Sequence, residues 1–270
     1  MVAIMPALKM LLPRKRSAAP PAAIPGGERI YAIGDIHGRL DLFLAMIRAI
    51  EGDDALREEA RTTMILLGDL IDRGPDSAGV VAAARDWSGR RHVRVLAGNH
   101  EEMLLLALER DEAMRAFLRH GGRETVLSYP VDAAAYAEAD YGEVRALLRD
   151  AIPSADLAFV RGFEDMIQIG DYLFAHAGIM PGVPLEAQRT GDLRWIREPF
   201  LSHAADHGVV VVHGHTITGD AELRHNRLGL DTGAFCTGVL TALGLEGTSR
   251  WLIQTREDAG EITVHTRSIA

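Results

Sequence analysis

The chain has 270 residues, 47% hydrophobic and 25% charged, a globular balance with length for one large domain or two small ones. Its formal net charge of -9 has the wrong sign for the attraction that drives binding to nucleic acid or to an anionic membrane, and no stretch is apolar for long enough to span a bilayer. One cysteine, Cys236, excludes an intramolecular disulfide and a cysteine-rich zinc site, and it suits a reducing, cytoplasmic setting.

Met1 to Leu12 is apolar and precedes the basic triplet Arg14-Lys15-Arg16, the reverse of the charge order in a secretory signal. Residues 17–27 are rich in Ala, Pro and Gly, so 1–27 is expected to be a flexible tail ahead of one domain over 28–270. Residues 28–34 read as a buried strand ending at Gly34-Asp35-Ile36-His37-Gly38. Leu40, Phe43, Leu44 and Ile47 then recur at helical spacing. Thr63 to Leu67 is a second strand, ending at Gly68-Asp69, and a helix is expected near Asp76 with Pro75 in its first turn. His92 to Ala97 is a third strand, ending at Gly98-Asn99-His100-Glu101, and Met103 to Leu108 reads as helix. Residues 110–162 read as a helical insertion, broken at Gly121-Gly122 and Pro130. Strands follow at Met166–Ile169, at Tyr172–Ala175 before His176-Ala177-Gly178, and at Val209–Val212 before His213-Gly214-His215. The C-terminal part, from Arg227, reads as strand, turn, strand. Strand–helix alternation followed by a meander implies an α/β fold with mixed sheets.

Five strand ends carry the same chemistry: Asp35 with His37, Asp69, Asn99, His176 and His215. Each alone has a bland reading, since an Asp after a strand is usually a cap and a lone His usually structural. Five together, each with a glycine within two residues, point to one site, because ligands in α/β proteins gather outside the carboxyl ends of strands. Two Asp, one Asn and three His are more donors than one ion takes from a protein. The set fits two divalent ions sharing a carboxylate. Mixed oxygen and imidazole donors suit manganese, the first expectation, or iron or zinc, better than calcium or magnesium.

The stretches Gly34-Asp35-Ile36-His37-Gly38, Gly68-Asp69-Leu70-Ile71-Asp72-Arg73-Gly74 and Gly98-Asn99-His100-Glu101 resemble the three signature motifs of the PPP-type serine/threonine phosphatases, in the calcineurin-like metallophosphoesterase superfamily. His176-Ala177-Gly178, Gly214-His215-Thr216, Trp195-Ile196-Arg197-Glu198 and Asp231-Thr232-Gly233-Ala234 are similar to later motifs of its bacterial and bacteriophage lambda phosphatase-like branch. The resemblance spans about residues 28 to 245. It implies two mixed β-sheets packed as a central sandwich flanked by helices. It also implies a first metal on Asp35, His37 and Asp69, and a second on Asp69, Asn99, His176 and His215. A metal-bridging hydroxide would attack phosphorus directly. His100 would be the general acid oriented by Asp72, and Arg73 and Arg197 would clamp the phosphate. Arg194 competes with Arg197 for that role, and His213 with His215 as a ligand. Glu101 is expected behind the ligands, and Cys236 to be buried.

The resemblance implies hydrolysis of phosphoserine and phosphothreonine in a phosphoprotein or phosphopeptide. Hydrolysis of dinucleoside polyphosphates is the alternative, since those hydrolases share many of the motifs. Asp72 and Glu101 favour the phosphatase. An inactive phosphoprotein-binding scaffold would be expected to have lost a ligand or the acid, and none is lost here.

Overall fold

The computed structural model describes residues 21–269, which hold two packed sheets with helices outside them. Most of the tail expected over 1–27 lies outside the described residues. Its last part is held: Ile24 is buried and donates its N–H to the Gly247 carbonyl at 2.9 Å.

In the first sheet β1 (Glu28–Ile33), β2 (Arg61–Leu66) and β3 (Val93–Val95) run parallel. On the other side of β1 the chain adds the antiparallel meander β9 (Val239–Glu246), β10 (Ser249–Asp258) and β11 (Glu261–Ile269). The second sheet has the order β4-β5-β6-β8-β7, from Met166–Ile169, Tyr172–Ala175, Val210–His213, Arg227–Gly229 and Glu222–Leu223. Within it β5, β6 and β8 are parallel. Both sheets are mixed, as the sequence implied.

Period-two alternation sorts each strand between two layers. Ile30 and Ala32 of β1 face the second sheet, where they meet Phe174, Val212, Leu228 and Leu230. Tyr31 and Ile33 face the opposite way, onto helices α1 (Leu40–Ala55) and α2 (Ser77–Ser88). On the far side of the second sheet Leu173 and Val211 pack against Leu193, Ile196 and Phe200. Among the described residues no helix is long and apolar enough to cross a membrane.

Three local expectations are corrected. The buried face of α1 is Leu42, Phe43, Met46 and Ile50, whereas Leu44 is 38% exposed. The apolar residues of this helix cover more than one stripe, so spacing alone does not fix its rotation. Helix α2 starts at Ser77, with Asp76 as its cap accepting from Gly79 N at 2.7 Å, so Pro75 stays outside. Helix α3 runs Asn99–Ala107, starting four residues before the expected Met103, and this places Asn99 and His100 in its first turn.

Residues 110–162 contain helices α4 (Asp111–Phe117), α5 (Arg123–Ser128), α6 (Ala133–Glu138), α7 (Tyr141–Ala151) and α8 (Ser154–Arg161). A π turn, Leu118–Gly122, joins α4 to α5 and contains the left-handed Gly121. Met114, Phe117, Val126 and Leu148 bury this segment against the helical side of the first sheet. Two short helices complete the chain, α9 (Thr190–Trp195) and α10 (Ala234–Thr237).

Candidate metal centre

The parallel strands of both sheets end at one seam, and the motifs are stitched there by backbone. Ile36 N and His37 N both donate to Asp69 O, at 3.1 and 2.9 Å, and Gly38 N to Leu70 O. Gly214 N donates to His176 O and Leu230 N to His213 O. Across the seam, His215 N donates to the Asp35 carboxylate at 3.0 Å, and His176 Nδ1 to Leu67 O at 2.8 Å. Close approach requires glycine at two places: a methyl on Gly98 would overlap Asp69 Oδ1, and one on Gly214 would overlap Asp35 Oδ1.

The backbone is strained where the site is built. Among the described residues six non-glycines have positive φ, and five of them are His37, Asp69, Asp72, Arg73 and His215. A left-handed conformation costs a non-glycine residue roughly 1–2 kcal/mol, so the surrounding bonds must hold these side chains in place. Glu101 supplies three of those bonds. It is 1% exposed and accepts from Asp69 N (3.0 Å), Gly98 N (2.9 Å) and Leu70 N (2.8 Å), which ties the second motif to the third. Glu101→Ala would leave three buried donors unpaired at roughly 1–3 kcal/mol each. We expect its denaturation midpoint to fall by the equivalent of about 3–9 kcal/mol. An unchanged midpoint would show that water replaces the carboxylate.

Asp69 sits in the middle. Its Oδ2 lies 3.4 Å from His176 Nε2, 3.6 Å from His37 Nε2 and 3.9 Å from His100 Nε2. Its Oδ1 accepts from His100 N. Two donor groups result, His37–Asp69–His100 and Asp69–His176–His215, sharing Asp69. Asn99 Oδ1 joins the second, 3.1 Å from His176 Nε2 and 2.8 Å from His215 Nδ1. Asp35 belongs to neither compact group, because its oxygens are turned to His215 N.

This donor set fits divalent metal. His37 Nδ1 donates to Ile71 O at 2.7 Å and His176 Nδ1 to Leu67 O, so each ring turns its Nε2 to the centre, where a metal would take the place of a proton. His215 Nε2 is buried with no hydrogen-bond partner. Burial and the nearby Asp231 push the Asp35 carboxyl well above its ordinary range, and burial pushes Asp231 up as well. Such crowded carboxylates are what a dication would stabilise.

Beside these donors lies a buried His–Asp pair. His100 Nδ1 donates to Asp72 Oδ2 at 2.6 Å, with both side chains buried. The other Asp72 oxygen accepts from Thr125 Oγ1, and Asp72 N donates to Ser77 Oγ and to Thr125 Oγ1. Burial disfavours a charged His100, but the Asp69 charge and the Asp72 bond outweigh it and the ring is shifted upward. Arg73 reaches over the pair, donating Nη1 to His37 Nε2 at 2.8 Å and bringing Nη2 to 2.9 Å from His100 Nε2.

Arg197 is exposed at the rim, with Nη2 3.4 Å from His215 O and, among the described residues, no carboxylate partner. Arg194, its competitor, is bound to Asp165 at 2.6 Å. His213 packs edge-on against Phe200 at 5.1 Å, away from the donor groups. Strand β6 ends at His213, and His215 follows in a left-handed turn, so the two rings do not share a strand face. Cys236 is exposed, contrary to expectation, because the single-turn α10 points Ala234 inward and Cys236 to solvent.

Asp231, Thr125, Ser77 and Phe235 belong to the site without a role drawn from the sequence. Asp231, 1% exposed beside Asp35, follows β8 by two residues in an Asp-Thr-Gly turn, so the strand-end signal could have found it. Thr125 could not be found that way: it lies in a helical stretch 53 residues from Asp72.

Two packed mixed sheets with Asp, Asn and His donors at their shared strand ends define a metallophosphoesterase. The profile of the calcineurin-like phosphoesterases matches residues 28–236, and the chain belongs to that family. It is therefore a hydrolase of the phosphoesterase type. It is similar to a symmetrical bis(5'-nucleosyl)-tetraphosphatase of Nitrosospira multiformis, 26% identical over 87% of this chain and 98% of the relative. It is also similar to serine/threonine-protein phosphatase 1 of Salmonella typhimurium, 28% identical over 79% and 90%. Among solved structures, a provisionally assigned diadenosine tetraphosphatase shares the fold with a TM-score of 0.58 at 19% identity, over 91% of this chain and 98% of that one.

Proposed function

We propose that the protein is a phosphomonoesterase of the PPP-type serine/threonine branch, acting on phosphoserine and phosphothreonine in proteins. It would hold two divalent ions, manganese first, through Asp35, His37, Asp69, Asn99, His176 and His215. When bound, the ions supply Lewis-acid stabilisation of the phosphoryl oxygens and a nucleophilic water of lowered pKa. The observation that carries the reading is the Asp72–His100 pair. Asp72 is fixed by Thr125 and Ser77 and fixes the His100 ring in turn. His100 Nε2 therefore faces the centre, positioned to hand a proton to the leaving oxygen. A serine or threonine alkoxide is a poor leaving group and needs that proton, whereas a nucleotide phosphate needs it far less. Arg73 presents its forked edge to the centre, and that edge would take phosphoryl oxygens. Arg197, at the rim with its guanidinium uncommitted to a carboxylate, would close the clamp.

A second reading, hydrolysis of dinucleoside tetraphosphates, is favoured by the near full-length similarity to the Nitrosospira tetraphosphatase. The 41% exposed Trp195, with its ring 6.5 Å from that of His215, offers a face on which a base could stack. The test is a comparison of kcat/KM with manganese on a phosphoserine peptide, a phosphotyrosine peptide and diadenosine tetraphosphate. We expect the phosphoserine peptide to be fastest. A faster dinucleotide replaces the first reading with the second, and a faster phosphotyrosine peptide overturns the serine/threonine assignment.

A further inference from the structure

We infer that Phe235 is a positioning residue whose ring sets the Arg73 guanidinium over the centre. Phe235 lies on α10, the single turn bounded by Gly233 and Gly238, both left-handed with φ of 71° and 70°. The turn is held from three sides. Asp231 Oδ1 accepts from Gly233 N at 2.9 Å, Thr237 Oγ1 donates to Thr232 O at 2.7 Å, and Arg39 Nη1 donates to Ala234 O at 2.9 Å. The half-buried ring stands edge-on to His37, with centroids 5.4 Å apart, and the Arg73 guanidinium carbon lies 5.0 Å from its centroid.

Three separate segments thus meet on one side chain. The loop after β2 carries Arg73 at a φ of 68°. The π turn of the helical insertion fixes its backbone, since Arg73 N donates to Gly121 O at 3.1 Å. The turn after β8 brings the aromatic ring. A guanidinium has a flat face that suits an aromatic ring and an edge that donates hydrogen bonds. Here the guanidinium carbon lies over the Phe235 ring, and the edge points at His37 Nε2 and His100 Nε2. The ring adds to these two contacts in restricting a long side chain, and it does not occupy the donating edge that an anion would take. The inference rests on the reading of Arg73 as a phosphate ligand.

The experiment uses the full chain loaded with manganese and a nitrophenyl phosphate ester as substrate. KM, kcat, inhibition by inorganic phosphate and manganese affinity are measured for the wild type, Phe235→Leu, Phe235→Tyr, Arg73→Ala and the double variant Phe235→Leu with Arg73→Ala. Phe235→Leu keeps the apolar bulk and loses the ring. It is expected to weaken phosphate inhibition and raise KM by about three- to thirtyfold, the range of a cation–π contact. Manganese affinity should stay the same. Phe235→Tyr restores the ring face and should return both constants to within about twofold of wild type. In the Arg73→Ala background Phe235→Leu should have no further effect, because the two act as one unit. The inference falls if Phe235→Leu binds phosphate like the wild type, if its effect is undiminished without Arg73, or if it loses manganese, which would assign the ring to His37. If Arg73→Ala itself leaves phosphate inhibition unchanged, the phosphate role of Arg73 falls and this inference with it. Phosphate binding that depends on Arg73 but not on Phe235 sinks the inference alone.

Discussion

Asp69→Asn is expected to lose metal and to abolish turnover while the fold is retained. The carboxylate lies within 3.4–3.9 Å of three imidazole Nε2 atoms and belongs to both donor groups. Asparagine keeps the shape but replaces one oxygen by an NH2, which is no ligand, and removes the negative charge that would hold two dications close. Loss of an outer partner of a metal ligand costs about 10–100-fold in affinity, and loss of a shared ligand should cost more. Metal titration and turnover are measured together. Wild-type stoichiometry and rate in the variant would remove Asp69 from the centre, and with it the two-ion reading.

His100→Asn is expected to keep metal and to slow turnover by about two to four orders of magnitude, the range of a general acid. Asp72 accepts the Nδ1 proton at 2.6 Å and is itself held by Thr125 and Ser77, so the opposite nitrogen is committed to the centre. Asparagine at this position cannot move a proton near neutral pH. The loss should shrink on esters with good leaving groups, which depart without protonation. Equal losses on good and poor leaving groups would remove His100 as the acid. The compact group His37–Asp69–His100 makes the metal measurement decisive as well. If the variant loses metal, His100 is a ligand and the proton must come from elsewhere.

Much of the centre was legible as a list of donors. Asp35, His37, Asp69, Asn99, His176 and His215 each follow a strand with a glycine within two residues, and the structure brings all six to one seam. The signal was strong because strand geometry is local: an apolar run that ends in Gly-Asp or Gly-Asn places the polar residue just past the strand end. Asp231 carried the same signal, and the resemblance covered it without giving it a role. The rotation of α1 was misread, since a helix with more than one apolar stripe does not declare which faces the core. Cys236 was misread because its exposure depends on two left-handed glycines that aim a four-residue turn outward.

The sequence by itself determined the α/β class, the mixed sheets, the strand ends and the residue types available to hold metal and phosphate. These depend on periodicity and on turns, which act over a few residues. Only the tertiary structure decided how the donors are shared. It put Asp69 between two groups of imidazoles and turned Asp35 to His215 N. It also brought Thr125 to Asp72 from 53 residues away and stood Phe235 against Arg73 from across the seam between the sheets. Such contacts join segments with no local pattern in common. They exist because two sheets and a helical insertion, each burying its own apolar face, leave their polar ends facing one another.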